Sequence, residues 1–159
     1  GLFSVMLDAR FSAAQVDTFV NALRLFRIGY SWGGPVSLVV PYDLDAMRSG
    51  TGRLLGHLVR FSIGLEAVGD LQADLDHALR ASLAAAYPEI GHLELIDYKV
   101  RILDAAHGTD AVTRVLIETS DGTTSWTTIG VAANILEASW DALVESVTYG
   151  LVRAGVAPR

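Results

Sequence analysis

The stretch HLELIDYKVRIL, residues 92–103, sets the fold class of the chain. Leu93 and Leu95 alternate with polar neighbours, and Ile96, Val100 and Ile102 continue the alternation one residue out of phase. A period of two over this length predicts a strand. Gly108 opens a second run, Val112 to Ile117, and Asp121-Gly122 is a hairpin signal. Trp126 to Val131 then reads as a third strand. The period changes after Asn134, which has Glu137 three residues on in the manner of a capping box. Leu136, Trp140, Leu143, Val144, Val147 and Leu151 line one face of a closing helix. Three strands joined by short turns and then a helix predict an antiparallel sheet covered on one face.

The first half repeats this mixture less regularly. Leu2 to Leu7 reads as a buried strand, and Ser12 as the N-cap of a helix carrying Val16, Phe19, Val20, Leu23 and Phe26. Ile28 to Trp32 is apolar and aromatic, Gly33-Gly34-Pro35 breaks it, and Val36 to Val40 is a strand ended by Pro41. Residues 42–56 read as loop, with a helical turn near Tyr42 to Met47. His57 to Ile63 alternates as a strand. Leu71, Leu75, Ala78, Leu79, Leu83 and Ala86 make a long amphipathic helix that Pro88 ends. The expectation is an α+β chain: antiparallel sheets each covered on one face by helices, in two small subdomains sharing a central helix.

Composition bounds the function. The 159 residues carry 12 Lys+Arg against 18 Asp+Glu, a net charge of -6, and are 51% hydrophobic with no Cys. Such a chain can bury a core and is not disordered. No stretch approaches the roughly 20 apolar residues of a membrane span. Zero Cys removes disulfides, thiolate metal sites and Cys nucleophiles. Net acidity without a basic cluster argues against nucleic acid as a partner. The start at Gly1 shows no cationic segment before a cleavage site, so it reads as a chain entered mid-domain at a strand, in a cytoplasmic protein. Lys99 is the single lysine, so chemistry that needs a lysine amine must use it.

Candidate chemistry is sparse. Gly29-Tyr30-Ser31-Trp32-Gly33 matches the G-x-S-x-G elbow of α/β-hydrolases, with Asp43 or Asp45 and His57 available as partners. That elbow needs a helix directly after it, whereas Gly34-Pro35 and a strand follow, so a glycine turn between strands is favoured. His57, His77, His92 and His107 form no paired spacing, and no metal site is expected. Arg60, inside the apolar strand of residues 58–63, is either a solvated strand residue or a fork for a carboxylate. His107 to Ala111 is a glycine turn that could offer backbone N–H groups to a small anion, or a plain hairpin loop.

Two resemblances add to this reading. Leu2-Phe3-Ser4, Ile28 to Leu38, Val59 to Glu66 and Asp70 to Leu75 resemble, in family order, the C-terminal end of a cystathionine β-lyase of the Cys/Met-metabolism pyridoxal-phosphate enzymes. The likeness covers residues 1–80, a substrate domain. It implies that Arg60 binds the substrate α-carboxylate and that Ser31 and Trp32 line the same pocket, and it removes the hydrolase reading. Residues 75–159 resemble the regulatory, dimerising end of the citramalate and 2-isopropylmalate synthases. The carriers are Leu75 to Arg80, Tyr87 to Ile90, Ile96 to Asp104, Gly108-Thr109, Thr113 to Glu118, Trp126 to Val131 and Asn134 to Trp140. This likeness is partial: the domain's first strand group is replaced by the lyase-like segment. It implies a homodimer and a branched-chain amino acid effector, isoleucine or leucine, held near Gly108, Thr109 and Ala111.

The two likenesses overlap in the helix around residues 70–80, as in a fusion. The lyase resemblance implies a Schiff-base lysine in a domain upstream of Gly1, and Lys99 sits in the synthase-like strand. The synthase resemblance implies a metal-binding barrel that these residues do not supply. No catalytic residue and no cofactor of its own are therefore expected of this chain, pyridoxal phosphate included. The leading expectation is a non-catalytic allosteric and dimerisation module fused to a lyase remnant. A fragment of a pyridoxal-phosphate-dependent carbon–sulfur lyase and an inert chimeric scaffold are the alternatives.

Overall fold

The computed structural model describes residues 1–44, 56–103 and 112–156. It divides into two compact units, Gly1–Ser82 and Leu83–Arg159. The class is α+β, with helices packed on two sheets.

In the first unit a four-stranded sheet has the order β1-β4-β3-β2. Its strands are β1 (Leu2–Leu7), β2 (Arg27–Ile28), β3 (Leu38–Tyr42) and β4 (His57–Ser62). β4 is central and antiparallel to both β1 and β3. β2 pairs with β3 in parallel, so the sheet is mixed where a purely antiparallel one was expected. Alternation sends Val59 and Phe61 of β4 inward, with Phe3, Val5 and Val39. The Phe61 ring stacks on Phe3 at 4.9 Å and meets Phe19 and Phe26 edge-on at 6.4 and 5.2 Å.

Helix α1 (Ala13–Ala22) begins at Ser12, whose hydroxyl accepts from Gln15 N while the Gln15 side chain accepts from Ser12 N. The helical spacing runs on to Phe26, yet the helix stops at Ala22. The reason lies in α2 (Val68–Leu83): the Asp74 carboxylate accepts from the backbone N–H of Arg24 at 2.8 Å, Leu25 at 2.9 Å and Phe26 at 3.4 Å. Those donors would otherwise continue the helix, and here they turn the chain into β2. β3 runs through Pro41 to Tyr42 rather than stopping at Pro41. The expected helical turn near Tyr42 to Met47 falls mostly outside the described residues. α2 ends at Leu83 rather than Ala86, and Pro88 opens a 3₁₀ turn, Pro88–His92.

The second unit carries β5 (Glu94–Ile102), β6 (Thr113–Ser120), β7 (Ser125–Ala132) and α3 (Ile135–Arg153), with an antiparallel sheet ordered β5-β6-β7. The change of phase at Ile96 is a β-bulge between Leu95 and Asp97. Asp121 caps the β6–β7 turn, accepting from Thr123 N and Thr124 N at 2.8 Å. These bonds and the Thr123 hydroxyl hold its carboxyl far below the usual range. The Asn134 side chain caps α3 by accepting from Leu136 N.

α3 lies mainly on β6 and β7. Thr113, Val115, Ile117 and Thr119 of β6 are buried on the helix side, and Thr119 shares a 2.6 Å hydroxyl bond with Ser146. The approach is closest at Gly130 of β7, where a Cβ would sit 1.8 Å from the Ala138 carbonyl oxygen. Only glycine lets the helix backbone lie directly on the strand there. No helix among the described residues is long and apolar enough to cross a membrane.

Candidate functional site

In the first unit the candidate site forms on the sheet face away from the Phe61 core. β4 sets Arg60 between Ser4 of β1 and Val40 of β3. Since Val59 and Phe61 are buried in the core, alternation aims Arg60 to the other face. Its Nη2 donates to the carbonyl oxygens of Tyr30 at 2.9 Å and Ser31 at 3.2 Å. The guanidinium carbon lies 5.7 Å from the Trp32 ring centroid and 5.4 Å from that of Tyr42. Tyr30 and Tyr42 meet edge-on at 6.1 Å. Nε of Arg60 is buried and has no hydrogen-bond partner. Among the described residues Arg60 forms no ion pair, so its charge is held by rings and carbonyl dipoles. Ser31 joins through its carbonyl, and Trp32 is 67% exposed.

The chain around this cluster is fixed by a glutamate. Glu66 accepts from Ser37 N at 2.8 Å and from the Ser37 hydroxyl at 2.7 Å, and that hydroxyl oxygen accepts from Gly64 N at 2.9 Å. Desolvation pushes the Glu66 carboxyl upward, but the bonds from Ser37 and its own backbone outweigh it and leave it below its ordinary value. A Cβ on Gly64 would lie 2.4 Å from the Pro35 carbonyl oxygen, so this crossing also requires glycine. Gly64 and Glu66 thus hold the Pro35–Ser37 segment, and through it the turn that carries Ser31 and Trp32.

The structure brings Arg60, Ser31 and Trp32 together and adds Tyr42, which sequence reasoning assigned to a loop. Alternation carried through Pro41 would have found it, because Tyr42 stands opposite Leu58 on the face that holds Arg60. No helix lies between Gly33 and β3, so the elbow geometry of a hydrolase is absent there. His57 Nε2 is 2.6 Å from the Phe11 carbonyl oxygen. No group of three or more potential metal ligands is assembled among the described residues.

In the second unit the expected effector positions Gly108, Thr109 and Ala111 lie outside the described residues, as does His107. Lys99 stands exposed on β5, ion-paired with Asp97. Its hydrogen bond to Asp97, with the Asp97 charge, raises the amine above its ordinary pKa. A Schiff-base lysine needs the opposite, an amine that gives up its proton easily. Lys99, the single lysine, is therefore not set up to form a Schiff base.

Comparison with known proteins completes the picture. Residues 68–151 match the LeuA allosteric (dimerisation) domain and residues 1–80 match the Cys/Met metabolism PLP-dependent enzymes. The (R)-citramalate synthase of Streptomyces coelicolor is 61% identical over 84 residues, 53% of this chain and 16% of that protein. That of Synechocystis is 58% identical over 77 residues, 48% of this chain and 14% of that protein. The cystathionine beta-lyase of Salmonella typhimurium is 42% identical over 79 residues, 47% of this chain and 20% of that protein. The chain thus spans only a fifth or less of these relatives, and two kinds of enzyme are matched by its two halves. Over residues 68–151 the chain belongs to the LeuA allosteric (dimerisation) domain family, and over residues 1–80 to the Cys/Met metabolism PLP-dependent enzyme family.

Proposed function

We propose that the second unit is an allosteric and dimerisation module that pairs two copies of the chain into a homodimer and senses isoleucine or leucine through Gly108, Thr109 and Ala111. The first unit, in this reading, is a non-catalytic lyase remnant in which Arg60, Ser31 and Trp32 keep a carboxylate-binding arrangement. No cofactor is held by this chain.

The observation that carries the pairing is an uncovered stripe. α3 covers β6 and β7, but Val100 and Ile102 of β5, on the same helix-side face, remain 43% and 59% exposed. An apolar strand stripe at a sheet edge, beside a packed helix, is a surface that a second copy would cover. Closed two-fold pairing uses the same patch on both copies. The Arg60 cluster supports the remnant reading, since among the described residues the guanidinium has no carboxylate partner to neutralise it.

Sedimentation tests the pairing. The chain is expected to sediment as a dimer and Ile102→Asp as a folded monomer; a monomeric parent chain overturns it. Calorimetry with isoleucine and leucine tests the sensing, and the absence of heat for both at millimolar ligand overturns that part alone.

A further inference from the structure

The face of the β5-β6-β7 sheet away from α3 is charged in an uneven way. Register and alternation place Asp97, Lys99 and Arg101 of β5 on it beside Glu118, Leu116 and Arg114 of β6. Thr127, Ile129 and Val131 of β7 complete it. At one end the charges neutralise each other, since Lys99 pairs with Asp97 and feels Glu118. At the other end they do not. Arg101 and Arg114 are directly opposite each other across the antiparallel ladder.

Like charges directly opposite on one sheet face repel and destabilise the pair. Among the described residues neither arginine forms an ion pair, and Nε of Arg114 is buried without a hydrogen-bond partner. An anion taken up between the two guanidinium groups would relieve that repulsion. The surroundings narrow the anion further. Arg114 stands opposite Val131 on its other side, and Leu116 stands opposite Ile129. Ile129 and Val131 are both exposed. Neighbouring strands are about 4.8 Å apart, so an apolar patch begins one strand away from the guanidinium fork.

We propose that Arg101 and Arg114 form a binding site for a small aliphatic carboxylate, its oxygens on the Arg114 fork and its branched chain over Leu116, Ile129 and Val131. The site deepens the sensing reading above, and rests on it only for the ligand's being an amino acid. Among the described residues the carboxylates on this face, Asp97 and Glu118, stand four residues along their strands, about 13 Å away along the backbone, and Asp97 is taken by Lys99. At that spacing neither carboxylate stands beside an α-ammonium group whose α-carboxylate sits on Arg114. The ammonium group therefore contributes little at this site, and the carboxylate is indispensable.

The test is a titration of the full chain, read at the arginine Nε–H resonances by nitrogen-15 NMR. Isoleucine, leucine and 3-methylvalerate are expected to shift the Arg114 signal saturably, and 2-methylbutylamine is expected to leave it unmoved. Arg101→Gln, at an exposed position, should weaken the carboxylates roughly tenfold or more, as should Arg114→Gln. An Arg114 signal that no carboxylate moves overturns the site, and is the result if an acid of the chain already occupies the fork. The signal of the parent chain decides this even if Arg114→Gln fails to fold. Equal binding of the amine also overturns it. Amino acids that bind with undiminished affinity to Arg101→Gln and Arg114→Gln sink this site and leave the sensing reading intact. Binding of 3-methylvalerate without binding of either amino acid supports the site and sinks the sensing reading.

Discussion

Removing the Asp74 carboxylate should loosen the first unit more than any surface change. Asp74 is 5% exposed and takes three consecutive backbone N–H groups, from Arg24, Leu25 and Phe26. In Asp74→Ala the donors of Arg24 and Leu25, only partly buried, can turn to water. The Phe26 donor lies in a buried setting. Hydrogen bonds to a charged group contribute about 1.5–3 kcal/mol each, and an orphaned buried donor costs about 1–3 kcal/mol. The three bonds share one carboxylate and do not add fully, so the expected loss is about 3–5 kcal/mol. That is a large part of the roughly 5–15 kcal/mol that holds a domain together. Asp74→Asn keeps an acceptor without its charge and should lose about half as much. Amide hydrogen exchange reads the effect locally. Protection of Val39 and Phe61, fully buried in the first unit, should fall by roughly two to three and a half decades, since about 1.4 kcal/mol is a factor of ten. Protection of Ile117 in the second unit serves as the internal reference. Unchanged exchange at Val39 and Phe61 in Asp74→Ala would refute the assignment of Asp74 as the group that ends α1 and fixes the entry to β2.

Gly130→Ala should cost the second unit at least about 3 kcal/mol, because the new methyl meets helix backbone that cannot step aside as a side chain can. Near-UV dichroism and urea unfolding check it, with Gly91→Ala, where nothing lies within 4 Å of the added carbon, as the unperturbed comparison. Tyr98 should hold its proton above the ordinary tyrosine range. Its hydroxyl is buried near Ser139, and desolvation pushes it up to about 12. The folded chain then holds a proton that the unfolded chain releases near 10, so stability is complete below pH 10 and declines toward pH 12. Tyr98→Phe should flatten that part of the pH profile in urea unfolding; an identical decline in the variant would assign the loss to another group.

The second unit was legible because its signals are local. The phase change at Ile96, the Asp121-Gly122 turn and the Asn134 cap each act over a few residues, and each lies at a bulge, turn or cap. The first unit was harder for a physical reason. Its decisive bonds join residues far apart in sequence: Asp74 to Arg24–Phe26, and Glu66 to Ser37. Periodicity alone carried α1 on to Phe26, since Leu23 and Phe26 are as buried as helix residues, but their burial comes after the chain has turned. The same limit hid Tyr42. Pro41 reads as a strand end because it has no N–H to donate, yet a proline can stay in a strand where its missing N–H faces away from a ladder bond. Arg60 was legible only as one of two alternatives. Its surroundings of Trp32 and Tyr42 depend on cross-strand register.

The overlap of the two family matches at residues 68–80 falls within α2. An amphipathic helix tolerates such a junction because its requirement is spacing rather than identity: Leu71, Leu75, Ala78 and Leu79 satisfy one buried stripe. Asp74 is different. It lies on the same buried side, but among the described residues its hydrogen bonds go to the Arg24–Phe26 turn of the first unit. Exchange of Leu71 for Met or Ile should therefore be mild, about 1 kcal/mol or less, while any change at Asp74 should be felt in the first unit. The stripe explains how one helix can suit two families, and the buried carboxylate shows which unit the helix serves in this chain.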